Sequence, residues 1–353
     1  MGIPKMRKFD YTKLSTMSWD SETLDLIFFI SQENGKQEIY SKQKPREFEK
    51  LAEVAKVQST ESSNAIEGIR TTNTRLRQIL AEKTTPKNRE EEEIAGYWDV
   101  LNLIHESFDM IPITPSYIMQ LHKILLSHTP LPYGGKFKSN QNYISGTDSK
   151  GNSFPLFTPL DPWETPIAMQ EACDSLSLCL GNRLVHPLLL IPVFIHDFLC
   201  IHPFTDGNGR ISRLLTTLLL YRCGFPIGKY ISLEAKIAKN KDRYYDALSA
   251  SEKNWHEGED DPLPFIKYLL GIIAFAYHDL EDRVEIVFEK VPAKEMVRKA
   301  TNQKIGFFTK SDIREICPSL SLSTVESALR ELVAEGYIRR TGIGRSTKYI
   351  RNS

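Results

Sequence analysis

The strongest constraint on this chain is a polar turn that stands between two apolar segments with the composition of core helices. Residues 188–195 are apolar, are interrupted by Pro192 and lead into the turn. Beyond the turn, apolar side chains recur at helical spacing, at Ile211, Leu214, Leu215, Leu218 and Leu219. This spacing predicts a second helix that begins at the turn itself.

The turn concentrates groups that suit a nucleoside triphosphate. The Gly207–Gly209 segment is small enough for backbone N–H groups to approach an anion, and a helix that follows adds the positive end of its dipole. Arg210 and Arg213 lie three positions apart on one helix face, so both are expected to reach the same phosphates. Asp206 supplies a carboxylate of the kind that Mg²⁺ prefers, and His202 titrates near neutral pH, which suits a general base.

The run from Ile201 to Arg213 is similar, at every specified position, to HxFx(D/E)GNGRxxR, the signature of Fic proteins. The resemblance implies a mainly α fold, a Fic-type helical bundle with a short β-hairpin flap. It also implies transfer of AMP from ATP to a Tyr, Thr or Ser hydroxyl of a target protein, with Mg²⁺ at the phosphates. Gly209 favours AMP transfer, because relatives that act as kinases carry Lys at that position.

The resemblance further implies a role for each matching residue. His202 would be the catalytic base and Asp206 the Mg²⁺ ligand, while Phe204 would anchor the loop in the core. Gly207–Gly209 would cradle the α- and β-phosphates, and the two arginines, in chain order, would pair with the β- and the γ-phosphate. The residues implied around ATP are Glu67, Ile144, Gly146, Phe204, Asp206, Gly207, Asn208, Gly209, Arg210, Arg213, Tyr244 and Tyr245.

A second motif lies far upstream. The segment Ser63–Gly68 resembles the family's inhibitory motif, (S/T)xxxE(G/N), at the end of a helix predicted over about residues 47–67. Its glycine suits a left-handed C-cap, so Glu67 is expected to project from the last helical turn. The resemblance implies that Ser63 and Glu67 are inhibitory, because a fork between Glu67 and Arg213 would occupy the guanidinium that the γ-phosphate needs. The alternative is an exposed glutamate before an ordinary cap.

Between about residues 138 and 158 the pattern favours a hairpin. A short β-favouring run is followed by a turn rich in Gly, Asp and Asn and by a second run, Ser153–Phe157. In Fic proteins a flap at this place pairs with the target backbone, and strand addition to an exposed edge is a standard recognition mode. Lys138 departs from the arginine that many relatives carry, and residues 156–159 depart from a proline run, which leaves target specificity open.

Four further side chains have two interpretations each. Tyr244 and Tyr245 stand where relatives place a tyrosine pair along the base and ribose, but one buried and one exposed helix aromatic is the alternative. His186 and His196 resemble metal ligands beside His202. Histidines that cap or fill a core helix are the more common case.

Composition shifts divide the chain into three parts. Residues 1–45 are predicted to be an N-terminal extension packed on the main domain, and residues 46–290 to be the Fic-like domain. Residues 295–353 resemble a winged helix-turn-helix domain, with two capped helices before a basic hairpin. The hairpin segment 336–351 carries five basic residues and no acid, which suits phosphate contacts, whereas the acidic second helix favours docking to protein. DNA and protein both stay open as its partner.

The composition predicts a cytoplasmic protein without a membrane partner. Basic and acidic residues balance at 45 each, so no overall field draws the chain to nucleic acid or lipid. The five cysteines are odd in number and lack CxxC spacing, which argues against a disulfide framework or a zinc site. The chain shows no N-terminal apolar segment of the kind that forms a leader.

The motifs leave the direction and the context of the reaction open. The same site could remove AMP from modified proteins, with Glu67 positioning a water. Alternatively, the nucleotide site could be the sensor of a transcriptional regulator. Beside a target-protein hydroxyl, self-modification and a homodimer are further partner hypotheses.

Overall fold

A computed structural model describes residues 7–147, 153–288, 292–342 and 344–352. The α-helices in this part of the chain are α1 (Ser21–Gln43), α2 (Pro45–Ile66), α3 (Asn73–Leu80), α4 (Arg89–Ser107), α5 (Pro115–Leu125), α6 (Thr165–Gly181), α7 (Pro187–Ile201), α8 (Asn208–Arg222), α9 (Leu233–Lys239), α10 (Lys241–Ser251), α11 (Leu263–Phe288), α12 (Ala293–Asn302), α13 (Lys310–Ile316) and α14 (Leu322–Ala334). Two antiparallel hairpins pair β1 (Ile144–Thr147) with β2 (Ser153–Phe157) and β3 (Ile338–Thr341) with β4 (Lys348–Arg351).

Local sequence signals explain where the helices around the turn begin. Asn88 caps α4 by accepting a hydrogen bond from the Glu91 N–H. Thr114 caps α5 in the same way, and Pro115 occupies its first turn, where a missing N–H costs nothing. The helices predicted from periodicity near residues 91–105 and 115–127 correspond to α4 and α5.

The two helices on either side of the polar turn form the centre of the main core. Every residue of α7 from Leu188 to Ile201 is buried, as is every residue of α8 from Arg210 to Tyr221. The two helices pack against each other, with α6 and α11 against α7 and α4 against α8. Because both helices are enclosed on all sides, the turn between them rests on a rigid base.

The N-terminal segment is part of this core. Phe9, Tyr11, Leu14 and Ile30 are buried in the same cluster as α7 and α8, and α1 lies along α11. Residues 1–6 of the predicted extension lie outside the described residues.

One helix in the described part of the chain is long and apolar enough to cross a membrane by length and composition, over Leu263–Val284. Half of that window is buried inside the protein, and α11 packs against α1, α7 and α10. Ile266, Leu270 and Ile273 are inaccessible to solvent or nearly so. These contacts place one face of α11 in the main core.

The C-terminal residues form a second, separate core. Val297 on α12 packs with Leu329 and Leu332 on α14, and Phe308 forms an isolated bridge with Tyr349 on β4. The two capped helices predicted here correspond to α13 and α14. α12 begins at Ala293, two residues before the predicted domain boundary at 295, because a strongly amphipathic segment follows Pro292.

The hairpin predicted near residues 138–158 is present as β1 and β2. Gly146 pairs with Phe154 and Thr147 with Ser153 in antiparallel register. The predicted turn at 148–152 lies outside the described residues.

Candidate active site

The polar turn holds His202 in a left-handed backbone conformation. His202 ends α7 with left-handed backbone angles, φ 51° and ψ 61°. Its Nδ1 lies 3.1 Å from the Leu199 carbonyl oxygen, which can only accept, so Nδ1 carries the proton. Burial, opposed by the Leu199 hydrogen bond, lowers the pKa of His202 to about 4. The ring is therefore neutral at pH 7, and its Nε2 has a free lone pair, as a general base requires.

Phe204 anchors the turn in the core. Its ring is fully buried and stacks on the His122 ring at 3.8 Å between centroids. The side chain of Asn208 closes the turn, accepting from the Phe204 N–H at 2.9 Å and donating to the Phe204 carbonyl at 2.7 Å. Neither side chain is free to touch a nucleotide, so any contact of Asn208 with phosphate must come from its backbone N–H.

His122, which sequence reasoning missed, supports the same turn. The Gly135 N–H donates to His122 Nδ1 at 3.0 Å, so the ring proton is on Nε2, which lies 3.0 Å from the Asp206 carbonyl oxygen. Burial lowers the pKa of His122 to about 4, which keeps this tautomer neutral. The only sequence signal was a histidine within the apolar pattern of α5, which is the ordinary pattern of a core position.

The glycines of the predicted phosphate cradle stand at the start of α8. Gly207 adopts φ 82°, a left-handed conformation that favours glycine, and leads the chain into the first turn of the helix. A Cβ atom at Gly209 would collide with Glu67 Oε1. The Glu67 carboxylate therefore lies directly over the helix N-terminus, in the place where an anionic ligand would be favoured.

Arg213 binds the end of α2 instead of standing free. Its Nη2 donates to Glu67 Oε1 at 2.7 Å and to the Ser63 carbonyl at 3.0 Å, and its Nε donates to Ser63 Oγ at 2.8 Å. The predicted pair of Arg213 with Glu67 is thus present, but it is joined through Nη2 alone, and Ser63 accepts from Nε and shares Nη2. Ser63 and Glu67 sit one helical turn apart at the end of α2, which lets both reach the same arginine.

Glu67 is ionised in this arrangement. Burial alone would raise the pKa of Glu67, but Arg213 outweighs it, with help from Arg210 and Lys241, and holds the pKa below its usual value. Gly68 follows with φ 84°, the left-handed cap predicted from the sequence.

The sequence predicted that Arg210 reaches the phosphate cradle, but its side chain does not point toward the cradle. Its side chain is only 1% exposed, with Nη1 2.5 Å from Glu93 Oε2 and Nη2 3.5 Å from Asp206 Oδ1. Arg89 closes a ring of four charges, with Nε 2.7 Å from Glu93 Oε1 and Nη2 3.1 Å from Asp206 Oδ2. Arg210 is thus placed to orient Asp206 rather than to reach a β-phosphate, because α8 is covered by α4 on that face.

This ring of four charges predicts that a substitution of Glu93 will strongly lower the free energy of unfolding. We expect Glu93→Gln to lower the free energy of unfolding by about 3–5 kcal/mol, because it leaves Arg210 buried without its main counter-charge. Urea unfolding at pH 7 measures this. The matched control is Glu90→Gln, an exposed glutamate one turn earlier on α4. Equal unfolding free energies for the two variants would show that the pair does not hold the fold.

A family model described as Fic/DOC family matches residues 112–220, which include α5, the β1–β2 hairpin and the whole polar turn. The chain is similar to Fic/DOC proteins over this range. Its helical fold is confirmed by solved structures. A Fic family protein from Desulfovibrio desulfuricans G20 superposes with a TM-score of 0.62 at 20% identity, over 95% of this chain and 97% of that one. A Fic domain containing signaling protein from Bacteroides thetaiotaomicron VPI-5482 gives 0.62 at 24% identity, over 73% and 97%.

Two curated relatives of this chain share one name. Protein adenylyltransferase Fic of Drosophila willistoni is 28% identical over 239 residues, and that of Drosophila yakuba is 29% identical over 238 residues. Each match covers 64% of this chain and 43% of the relative. The chain thus spans less than half the length of these relatives.

The tyrosine pair on α10 splits into one buried and one more exposed residue. Tyr244 is 5% exposed and contacts Arg213 and Ser212 from within the core. Tyr245 is 41% exposed. Tyr244 therefore supports Arg213 from behind, and only Tyr245 is open to a ligand. In the hairpin, Ile144 packs on the main core at the start of β1 and Gly146 lies within β1.

The histidines outside the turn have structural surroundings. His186 caps α7 by accepting from the Leu188 N–H, and His196 is buried against Cys200. His196, Asp197 and Asp260 place ligand atoms within 4.8 Å of one another. Arg7 already pairs with both carboxylates, with Asp197 at 3.1 Å and with Asp260 at 2.5 Å.

Arg89 and Glu93 are the other residues that sequence reasoning missed. Both belong to α4, more than 100 positions before the turn, and reach it only through the packing of α4 on α8. Arg89 and Glu93 lie four positions apart, a spacing that is typical of an ion pair on a helix surface. Nothing in the sequence indicated that one member, Glu93, would be buried.

Proposed function

We propose that this chain is a protein adenylyltransferase that moves AMP from ATP to a Tyr, Thr or Ser hydroxyl of a protein. The observation that supports it best is the neutral His202, with Nε2 free, beside a helix N-terminus flanked by Arg213. In the reaction, the hydroxyl oxygen attacks the α-phosphorus of ATP as its proton passes to His202 Nε2. The bond to the β-phosphate oxygen breaks, and pyrophosphate leaves. The name of the curated relatives is consistent with this chemistry.

The cradle accounts for the choice of a triphosphate. Backbone N–H groups of Gly207–Gly209 and the helix dipole suit the α- and β-phosphates, and Arg213, once released from Glu67, suits the γ-phosphate. Asp206 is proposed as the Mg²⁺ ligand. Its side chain is 38% exposed, and its present partner at Oδ2, Arg89, is itself 57% exposed and can move away. Mg²⁺ bound there would neutralise phosphate charge.

We infer that Ser63 and Glu67 make the resting chain auto-inhibited. The Glu67 carboxylate lies over the cradle and pairs with the arginine that the γ-phosphate needs. Two anions cannot share that place without strong repulsion, so ATP must displace Glu67 or bind in an unproductive pose.

One observation favours removal of AMP as a second candidate activity. Glu67 lies within electrostatic reach of His202, where its charge opposes part of the lowering of the His202 pKa by burial. A carboxylate at that position is placed to orient a water toward an AMP-modified side chain. The two directions are separated by incubating the wild-type chain and Glu67→Gly with an AMP-modified protein.

Intact-mass measurement tests the main proposal directly. Candidate proteins and the chain itself are incubated with ATP and Mg²⁺, and transfer of AMP is read as the mass increase of one adenylyl group. A parallel sample with His202→Ala is the control. A mass increase of one phosphoryl group instead would assign the site to phosphate transfer.

We further propose that residues 292–352 form a winged helix that binds DNA or a protein partner. The support is the order of α12, α13 and α14 before the β3–β4 hairpin. Arg339, Arg340, Lys348 and Arg351 are exposed on that hairpin. If DNA is the partner, affinity will fall steeply as salt is raised, because these cations displace counterions from phosphates.

The C-terminal unit is expected to be dispensable for chemistry. A Glu67→Gly chain that ends near residue 290 should still transfer AMP, because every residue with a proposed chemical role precedes that point and α12–α14 have a core of their own. Self-modification with labelled ATP measures this against full-length Glu67→Gly. A folded truncation that binds ATP without modifying itself would mean that the C-terminal unit completes the site or supplies the modified residue.

A further inference from the structure

Four consecutive carbonyl groups of the catalytic turn accept hydrogen bonds from two residues at the base of the flap. Lys138 Nζ donates to the Ile201 carbonyl at 3.1 Å, and the Lys138 N–H donates to the Pro203 carbonyl at 2.8 Å. Asn142 Nδ2 donates to the His202 carbonyl at 3.3 Å and to the Phe204 carbonyl at 3.0 Å. Lys138 Nζ also donates to Asn142 Oδ1 at 2.9 Å, which couples the two donors.

Burial of the Lys138 amine in this arrangement costs free energy. Lys138 is 3% exposed, and burial lowers the pKa of its amine to about 8. Removing an ammonium group from water disfavours its charged form, and the carbonyl oxygens around it offset only part of that cost. In a solvent-exposed loop, water would satisfy these four carbonyls, and neither the buried Lys138 nor Asn142 would be needed for that purpose.

The turn at the end of α7 does need external support. His202 has a positive φ, and a non-glycine residue in this conformation persists only where its surroundings hold it. The phosphate cradle has separate support, since His122 holds the Asp206 carbonyl and Asn208 closes the loop onto Phe204. The contacts of Lys138 with Ile201 and Pro203, and of Asn142 with His202, therefore act on the segment that carries the base. The Phe204 carbonyl is the one acceptor that Asn142 shares with Asn208 of the cradle.

The same two residues lead directly into the flap. Asn142 lies two positions before Ile144, where β1 begins, and Gln141 Nε2 donates to the Pro159 carbonyl just beyond β2. One residue, Tyr143, separates Asn142 from the hairpin, so the hairpin is joined to the carbonyls around His202 by a short connection.

We propose that Lys138 and Asn142 are positioning residues, which hold His202 in its left-handed conformation and link the base to the flap. This inference rests on the proposed adenylyltransferase function and adds to it a route by which a target on the flap would align the base. His202 remains the only residue of the three that touches the reacting hydroxyl.

The test uses the full chain in the Glu67→Gly background. Asn142→Ala and Lys138→Met should each lower the transfer rate at saturating ATP by about 10- to 100-fold, as expected for misplacement of a reacting group by about 1 Å. The dissociation constant for ATP should stay within about threefold, because the cradle is held independently. Lys138→Arg, which keeps the charge and a donor, should restore most of the rate. Asn140→Ala is the matched control, an exposed asparagine two positions away.

A second readout does not depend on activity. Amide hydrogen exchange at His202 and Phe204 should become faster in Asn142→Ala and stay unchanged in Asn140→Ala, since the turn loses its external support. Unchanged exchange and an unchanged rate would overturn the proposal. Loss of ATP affinity in parallel with the rate would also overturn it, by showing a general structural role. If Glu67→Gly itself transfers no AMP, the proposed function fails, while the exchange measurement still decides whether the two residues hold the base.

Discussion

Glu67→Gly is expected to modify itself with AMP about 10- to 100-fold faster than the wild-type chain. The gain corresponds to a partly buried, charge-assisted hydrogen bond, which contributes about 1.5–3 kcal/mol. Removal of the carboxylate clears the space above Gly209 and frees Arg213 Nη2 for the γ-phosphate. Incorporation of labelled AMP, at matched protein and Mg²⁺ concentrations, measures the gain.

Two further variants separate charge from shape at this position. Glu67→Gln keeps the size of the side chain but loses its charge, so we expect an intermediate rate. Ser63→Ala removes only the hydrogen bond to Arg213 Nε, so we expect a smaller gain than from either substitution at Glu67. If Glu67→Gly transfers no more AMP than the wild-type chain, the inhibitory role of this residue is wrong.

The sequence was most informative where function depends on residues that lie close together along the chain. The turn from His202 to Arg213, its flanking core helices and the cap at Gly68 could all be predicted, because local spacing and backbone requirements determine them. The contact between Glu67 and Arg213 was predictable only through resemblance to a family, since 146 positions separate the two.

The sequence misled where helical periodicity was used to assign exposure. Arg210 and Arg213 do lie three apart on α8, but the helix is enclosed on every side, so a shared face is not a shared solvent face. α2 covers Arg213 and α4 covers Arg210, and each arginine therefore pairs with a different glutamate. Which side chain compensates a buried charge is decided by tertiary packing, and a single sequence does not record it.

In the Glu67→Gly background, His202→Ala is expected to lower AMP transfer by about 10²- to 10⁴-fold, the range of a general base. ATP affinity should stay within about threefold by calorimetry, because the cradle and Arg213 do not contact the imidazole. His128→Ala is the matched control, since His128 is a surface residue paired with Asp99.

Because the His202 backbone is left-handed, His202→Ala changes both the turn and the base. One more variant separates a loss of activity caused by a distorted turn from one caused by the missing base. Alanine is disfavoured at φ 51°, whereas asparagine tolerates this region, so His202→Asn keeps the turn in place while removing the base. We expect His202→Asn and His202→Ala to lose transfer equally and to bind ATP equally. Partial activity of the asparagine variant would show that His202 acts mainly by shaping the turn. A collapse of ATP binding in both variants would instead make His202 part of the nucleotide site, and the base would have to be sought elsewhere.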